Sequence, residues 1–247
     1  MTDIGRFRVV RLDDLEQVHF EGDRFRFPAA IEGLRRQDLI EVHTLRRSVQ
    51  GRTGQDRVLV ASLTGAGKSA LRRCPQFDRS QVVYSEMVKP REALHDSNLY
   101  RMYQRHASVL AGQGARVWRV ALDFELKREY LQDLRRHERR GGRAGNALIE
   151  QVAAEHRLPV QHGKIQYPDL RIEYENPGGD LGRVDLELAT ASYHANHIAQ
   201  KQQAGFVLYA ASEDVGRLGA FVNEFWPRRD HGNWPHPGRV DKAALRA

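Results

Sequence analysis

A single cysteine, Cys74, leaves no partner for an internal disulfide and too few thiolates for a cysteine-based zinc site. No apolar run approaches the roughly 18 residues that a membrane span needs. The opening Met1-Thr2-Asp3-Ile4-Gly5-Arg6 has no apolar segment of the kind a secretory signal carries. These absences predict a cytoplasmic protein with no membrane partner. Lysine is nearly as scarce, with six lysines against 33 arginines. The 247 residues carry a formal net charge of +7, and the sequence pI is about 9.7. Arginine grips phosphate through a planar, bidentate fork, so the excess points to a polyanionic partner. A GC-rich coding sequence inflates arginine too, so the placement of the arginines has to decide. At 40% hydrophobic residues the chain is too apolar for disorder, and its length suits one large domain or two small ones.

The first seventy-odd residues read as helix, helix, strand, polar loop, strand, helix. Leu12 to Val18 has a short helical pattern. Pro28 sits where a helix can start, because its missing N–H costs nothing in the first turn. Leu39 to Leu45 alternates as a strand, Ser48 to Asp56 is polar with Gly51 and Gly54, and Val58, Leu59 and Val60 begin a second strand. This order matches a winged helix, with the second of these helices entering the major groove and the hairpin forming the wing. Arg35 and Arg36 fall on that helix, and Arg46, Arg47 and Arg52 flank or occupy the wing. They are the expected phosphate contacts, set against the plainer reading of a solvated face.

Residues 74–93 read as a connector with a short strand at Val82 to Tyr84. The remainder reads as helix (Leu94–Leu110), strand (Val117–Phe124), charged helix (Glu125–Arg140), helix (Ala144–His156), strand (Ile165–Glu175), strand (Val184–Leu188), helix (Ala191–Ala204) and strand (Phe206–Ala210). A Pro177-Gly178-Gly179 turn joins the two middle strands. The expected fold class is α+β: a winged helix over residues 1–75, then an α/β domain with a mixed central sheet over residues 76–247.

Gly65-Ala66-Gly67-Lys68-Ser69 invites a phosphate-binding-loop reading. That loop needs a glycine five positions before the second one, and Ser62 stands there. The segment Leu63-Thr64-Gly65-Ala66-Gly67-Lys68 reads better as the turn by which a wing leads into a closing helix.

The informative stretch is Pro168-Asp169-Leu170-Arg171, followed by Val184-Asp185-Leu186-Glu187-Leu188. Strand side chains alternate with period two, so Asp185 and Glu187 share a face opposite Val184, Leu186 and Leu188. Acids on a strand with so apolar a second face are costly unless paired or bound to a cation. With Asp169 on the preceding strand, Asp169, Asp185 and Glu187 offer hard oxygen ligands for Mg2+ or Mn2+, which could activate a water against a phosphodiester. His194 and His197, three apart, are either ligands or a general base near these acids, or two solvated histidines. Asp123 and Glu125 share one face of a strand and either add to a site or simply mark the strand's end.

This pattern resembles the PD-(D/E)xK nuclease superfamily. The Pro-Asp pair is literal at Pro168-Asp169, and the second half begins at Asp185 or at Glu187. Gln202-Gln203-Ala204-Gly205-Phe206 is similar to the Gln-xxx-Tyr helix of some branches. The wider pattern, with His95-Asp96-x-Asn98-Leu99, resembles the plasmid replication-relaxation family, which joins a winged helix to such a domain. The lysine position after Glu187 holds Ala189; after Asp185 it holds Glu187. The resemblance implies that Lys201 on the next helix takes the lysine's part, with Asp169 and Glu187 catalytic. It also implies a double-stranded DNA partner of plasmid or mobile-element type, with homodimerisation open. The missing lysine keeps a second expectation in view, a non-catalytic DNA-binding replication or transfer accessory factor or transcriptional regulator.

Overall fold

The structure, a computed structural model, describes residues 1–48, 55–139, 145–190, 192–210, 218 and 222–224. The described residues divide into two compact units, residues 1–114 and the described residues from 115 to 224.

The first unit runs α1 (Thr2–Phe7), β1 (Val10–Arg11), α2 (Leu12–Phe20), α3 (Arg26–Arg36), β2 (Ile40–Ser48), β3 (Gln55–Leu63), α4 (Gly65–Arg73) and α5 (Pro90–Gly112). β2 and β3 pair antiparallel from Ile40↔Leu63 to Ser48↔Gln55. The two-residue β1 adds to the other edge of β3, giving the order β1-β3-β2. The third helix begins two residues before Pro28, after a turn in which Asp23 Oδ1 accepts the amides of Phe25 and Arg26, both at 2.9 Å. α1 and β1 have too few residues for periodicity to reveal them.

Sequence places a boundary near residue 75, whereas the long helix α5 packs within the first unit. Ala93 joins Val9, Leu45, Val58 and Val60 in one buried cluster. Tyr100 on α5 packs edge-on against Phe7, and its hydroxyl donates to Asp3 at 2.9 Å. Arg101 forks onto both oxygens of Asp14 at 2.7–3.0 Å. No strand forms at Val82–Tyr84, where one was expected; the segment is irregular, and the Tyr84 amide donates to the Gly5 carbonyl at 2.8 Å.

The second unit runs β4 (Arg116–Leu122), α6 (Asp123–Arg139), α7 (Asn146–Glu155), β5 (Val160–Gln161), β6 (Lys164–Ile165), β7 (Leu170–Glu175), β8 (Leu181–Leu188), α8 (Ala195–Gln203), β9 (Val207–Ala210) and β10 (Asn223–Glu224). Its main sheet has the order β10-β9-β8-β7-β4. β7 runs antiparallel to both of its neighbours, β4 and β8, and β8, β9 and β10 run parallel. The fold is therefore α+β with a mixed sheet, as expected. The β7–β8 hairpin closes through Gly179 at φ +87°, a conformation that glycine adopts without a steric penalty. Val120, Leu122, Leu170, Ile172 and Leu186 are buried and alternate on one face of β4, β7 and β8.

Asp123 and Glu125 do not end a strand. β4 stops at Leu122, and Asp123 opens α6 by accepting the Phe124 amide on its side chain at 2.6 Å. Glu125 is buried inside the helix's first turn and is bound by Arg119. Among the described residues no helix is long and apolar enough to cross a membrane.

Candidate functional site

The register that buries Leu170 against Leu186 puts Arg171 opposite Asp185 on the other face of the sheet. Asp169, one residue before β7, then faces Glu187, one residue beyond Leu186. The contacts follow that geometry. The Asp169 amide donates to Glu187 Oε2 at 3.3 Å, and the Leu188 amide donates to Asp169 Oδ2 at 2.8 Å. The Asp169 carbonyl accepts the amide of Asp123, so the first residue of α6 lies against the same corner.

Lys201, on α8 between β8 and β9, reaches back to this corner. Its Nζ stands 2.7 Å from Glu187 Oε1 and donates to the Tyr167 carbonyl at 3.2 Å. Tyr193, in the loop before α8, donates its hydroxyl to the same Oε1 at 2.7 Å. Glu187 is only 2% exposed. Burial first, and the charge of Asp169 second, push its carboxyl above the usual glutamate range, with Lys201 and Tyr193 pulling against that rise. Burial and the Glu187 charge push the Tyr193 phenol upward as well, so it remains a donor. The three residues predicted as catalytic, Asp169, Glu187 and Lys201, are thus brought together. Tyr193 was missed; nothing in its spacing distinguishes it from a loop aromatic.

Asp185, expected to help hold a cation, has both oxygens on the Arg171 guanidinium at 2.7 and 2.9 Å. Arg171 also donates to the carbonyls of His156 and Arg157, just past α7. The pair is a structural clamp beside the site, and Arg171 is a second residue that sequence reading missed. Its partner is visible only once the strand register is known.

Among the described residues no group of three or more histidine, cysteine, aspartate or glutamate side chains gathers to hold a metal ion. Asp169 and Glu187 form a smaller set. Magnesium commonly accepts one or two carboxylates and completes its shell with water and substrate phosphate, so this pair fits a substrate-shared ion rather than a resident one. His194 and His197 lie exposed at the start of α8 with ring centres 6.0 Å apart.

In the first unit, Arg35 and Arg36 close α3 in exposed positions, each within 4 Å of Glu32. Exposed pairs of this kind contribute about 0–1 kcal/mol, so they hold the two guanidiniums only weakly. Together with Asp38, Glu41 and His43 these residues line a cleft of about 490 Å³ between α3 and β2. Arg46 is exposed on β2 opposite Arg57. Arg47 stands opposite Asp56, its side chain outside the described residues, as is all of Arg52.

The Gly67-Lys68-Ser69 segment is a helix start. Thr64 caps α4 by accepting the Gly67 amide at 2.9 Å. A Cβ on Gly67 would collide with the Leu39 carbonyl oxygen, so this glycine serves the close approach of the Leu39 backbone, and its amide is already taken by Thr64.

Comparison with protein-family models, with curated proteins and with solved structures finds no match.

Proposed function

We propose that the chain is a DNA-binding protein of plasmid or mobile-element type, a winged helix joined to a metal-dependent phosphodiester-cleaving domain related to the PD-(D/E)xK and replication-relaxation proteins. The observation that carries the reading is the convergence of Asp169, Glu187 and Lys201 from two adjacent strands and the helix that follows them. The order α1-β1-α2-α3-β2-β3, with β1 paired to β3, supports the winged helix: α3 is then the groove-reading helix and β2–β3 the wing. The meander β4-β7-β8, followed by α8 and a parallel β9, supports the nuclease-like unit.

In this reading Asp169 and Glu187 hold one magnesium or manganese ion. When bound, the ion supplies a polarised phosphodiester and a more acidic water. Lys201, already aimed at Glu187, donates to the negative charge that develops on the phosphoryl oxygens. Tyr193 fixes the orientation of the Glu187 carboxylate. Arg171 and Asp185 hold β7 and β8 in place. The first unit binds double-stranded DNA through Arg35, Arg36 and Arg46.

One observation favours a second reading, DNA binding without cleavage. Glu187 already accepts from Lys201, Tyr193 and the Asp169 amide, so the buried acid is satisfied without an ion. Plasmid nicking in manganese or magnesium separates the two. The nuclease reading expects nicking by the wild type, lost in Glu187→Ala while DNA binding persists. Equal, negligible nicking by both, with DNA binding intact, sinks it in favour of the second.

A further inference from the structure

Helix α6 presents opposite characters to its two sides. Leu126, Tyr130 and Leu134 recur every four residues and are buried or half-buried; Tyr130 and Leu134 pack with Val152, Ala153 and Leu158. The outer side carries Lys127, Arg128, Leu131, Gln132, Arg135, Arg136, Glu138 and Arg139 in exposed positions. Five of these are basic and one is acidic. Lys127 is paired with Asp123, and Arg136 with Asp133. Arg128, Arg135 and Arg139 have no ion pair among the described residues. At about 100° per residue these three fall within roughly 40° of one another around the helix. At about 1.5 Å per residue they span roughly 16 Å along its axis.

The helix is anchored at the candidate site. Its first residue donates its amide to the Asp169 carbonyl at 3.1 Å. Lys127, on the second turn, lies 5.5 Å from the ring centre of Tyr167, whose carbonyl accepts from Lys201. The row of arginines therefore begins on the second turn of a helix whose first residue is bonded to Asp169, and runs on toward the helix's far end.

We infer that the outer face of α6 is a second nucleic-acid contact, a track of Arg128, Arg135 and Arg139 that grips successive phosphates of the DNA backbone and leads the strand to Asp169 and Glu187. This deepens the proposed reading and rests on it. Three bidentate cations on a rigid helix fit a regularly spaced polyanion. A lipid surface suits the face less, because Leu131 is the only large apolar side chain on it and an interfacial helix needs an apolar face to insert.

The test is the salt dependence of binding of the full chain to a fluorescent DNA duplex. Three backbone contacts contribute about 0.9 each to the slope of log K against log salt. The triple variant Arg128→Gln, Arg135→Gln, Arg139→Gln is expected to lower the slope by about 2–3. The triple lysine variant, which keeps the charge, is expected to restore it, and thermal melting checks that both fold. An unchanged slope in the glutamine variant, with a flattened one in Arg35→Ala, Arg36→Ala, overturns the track and leaves DNA binding by the first unit standing. Absence of duplex binding by the wild type overturns the DNA reading itself. Binding to phosphatidylserine vesicles that the glutamine variant loses, with none to DNA, overturns the inference in favour of a membrane partner.

Discussion

The Arg171–Asp185 clamp sets a measurable cost for separating structure from chemistry on β8. The two side chains are 4% and 9% exposed, and Arg171 makes four hydrogen bonds, two to Asp185 and two to the carbonyls of His156 and Arg157. Asp185→Asn removes the only charge bonded to that guanidinium among the described residues and leaves a buried cation with neutral acceptors alone. Breaking such a pair from one side costs about 3–5 kcal/mol. With urea slopes of roughly 1–3 kcal/mol per molar, the unfolding midpoint should fall by about 2 M. Trp118 on β4 can report it once Trp226 and Trp234 are replaced by phenylalanine. The double change Arg171→Met, Asp185→Leu removes both charges together and should recover most of the loss, since apolar replacements of buried pairs are often neutral. A loss below about 1 kcal/mol in Asp185→Asn, accompanied by a collapse of manganese affinity, would refute the argument and return Asp185 to the role of ligand.

Two further outcomes follow from the first unit. Asp3 is half-buried; desolvation alone pushes its carboxyl up, but bonds from His19 and Tyr100 outweigh that and hold it below the usual aspartate range. A depressed folded value contributes stability above the unfolded pKa and loses it as pH falls through the folded one; Asp3→Asn should therefore flatten the acid limb of a melting-temperature profile, and an unchanged limb would count against the bond geometry. Lys68→Ala should leave DNA binding within twofold and the chain indifferent to ATP in calorimetry; saturable ATP binding lost in that variant would restore the phosphate loop.

The main sheet was largely legible because its strands alternate. Leu170, Ile172, Leu186 and Leu188 mark one face, and the acids between them mark the other. Period two placed Asp169 and Glu187 without a structure, and the absence of a lysine at Ala189 directed attention to Lys201. What escaped has physical reasons. β4 passes into α6 without a connecting residue, so the strand pattern seemed to continue through Asp123 and Glu125. α1 and β1 are too short for any period to register. The dividing point between the units was hidden because the segment from Cys74 to Lys89 has a linker's composition, while the helix after it folds back through Ala93, Tyr100 and Arg101. Arg171 and Tyr193 act through partners that only the tertiary register supplies.

β8 carries Asp185 and Glu187 two residues apart on one face. Sliding the strand by one residue against β7 would move both to the opposite face at once and bring Val184, Leu186 and Leu188 toward Arg171. The guanidinium would lose its counter-charge in the same step that removed the acid from Lys201. A misaligned hairpin therefore cannot keep a half-assembled site: the buried arginine makes that arrangement too unstable to persist. The clamp acts as a proofreading device for the strand, so that molecules folded enough to survive are also those with the acid and the lysine in place.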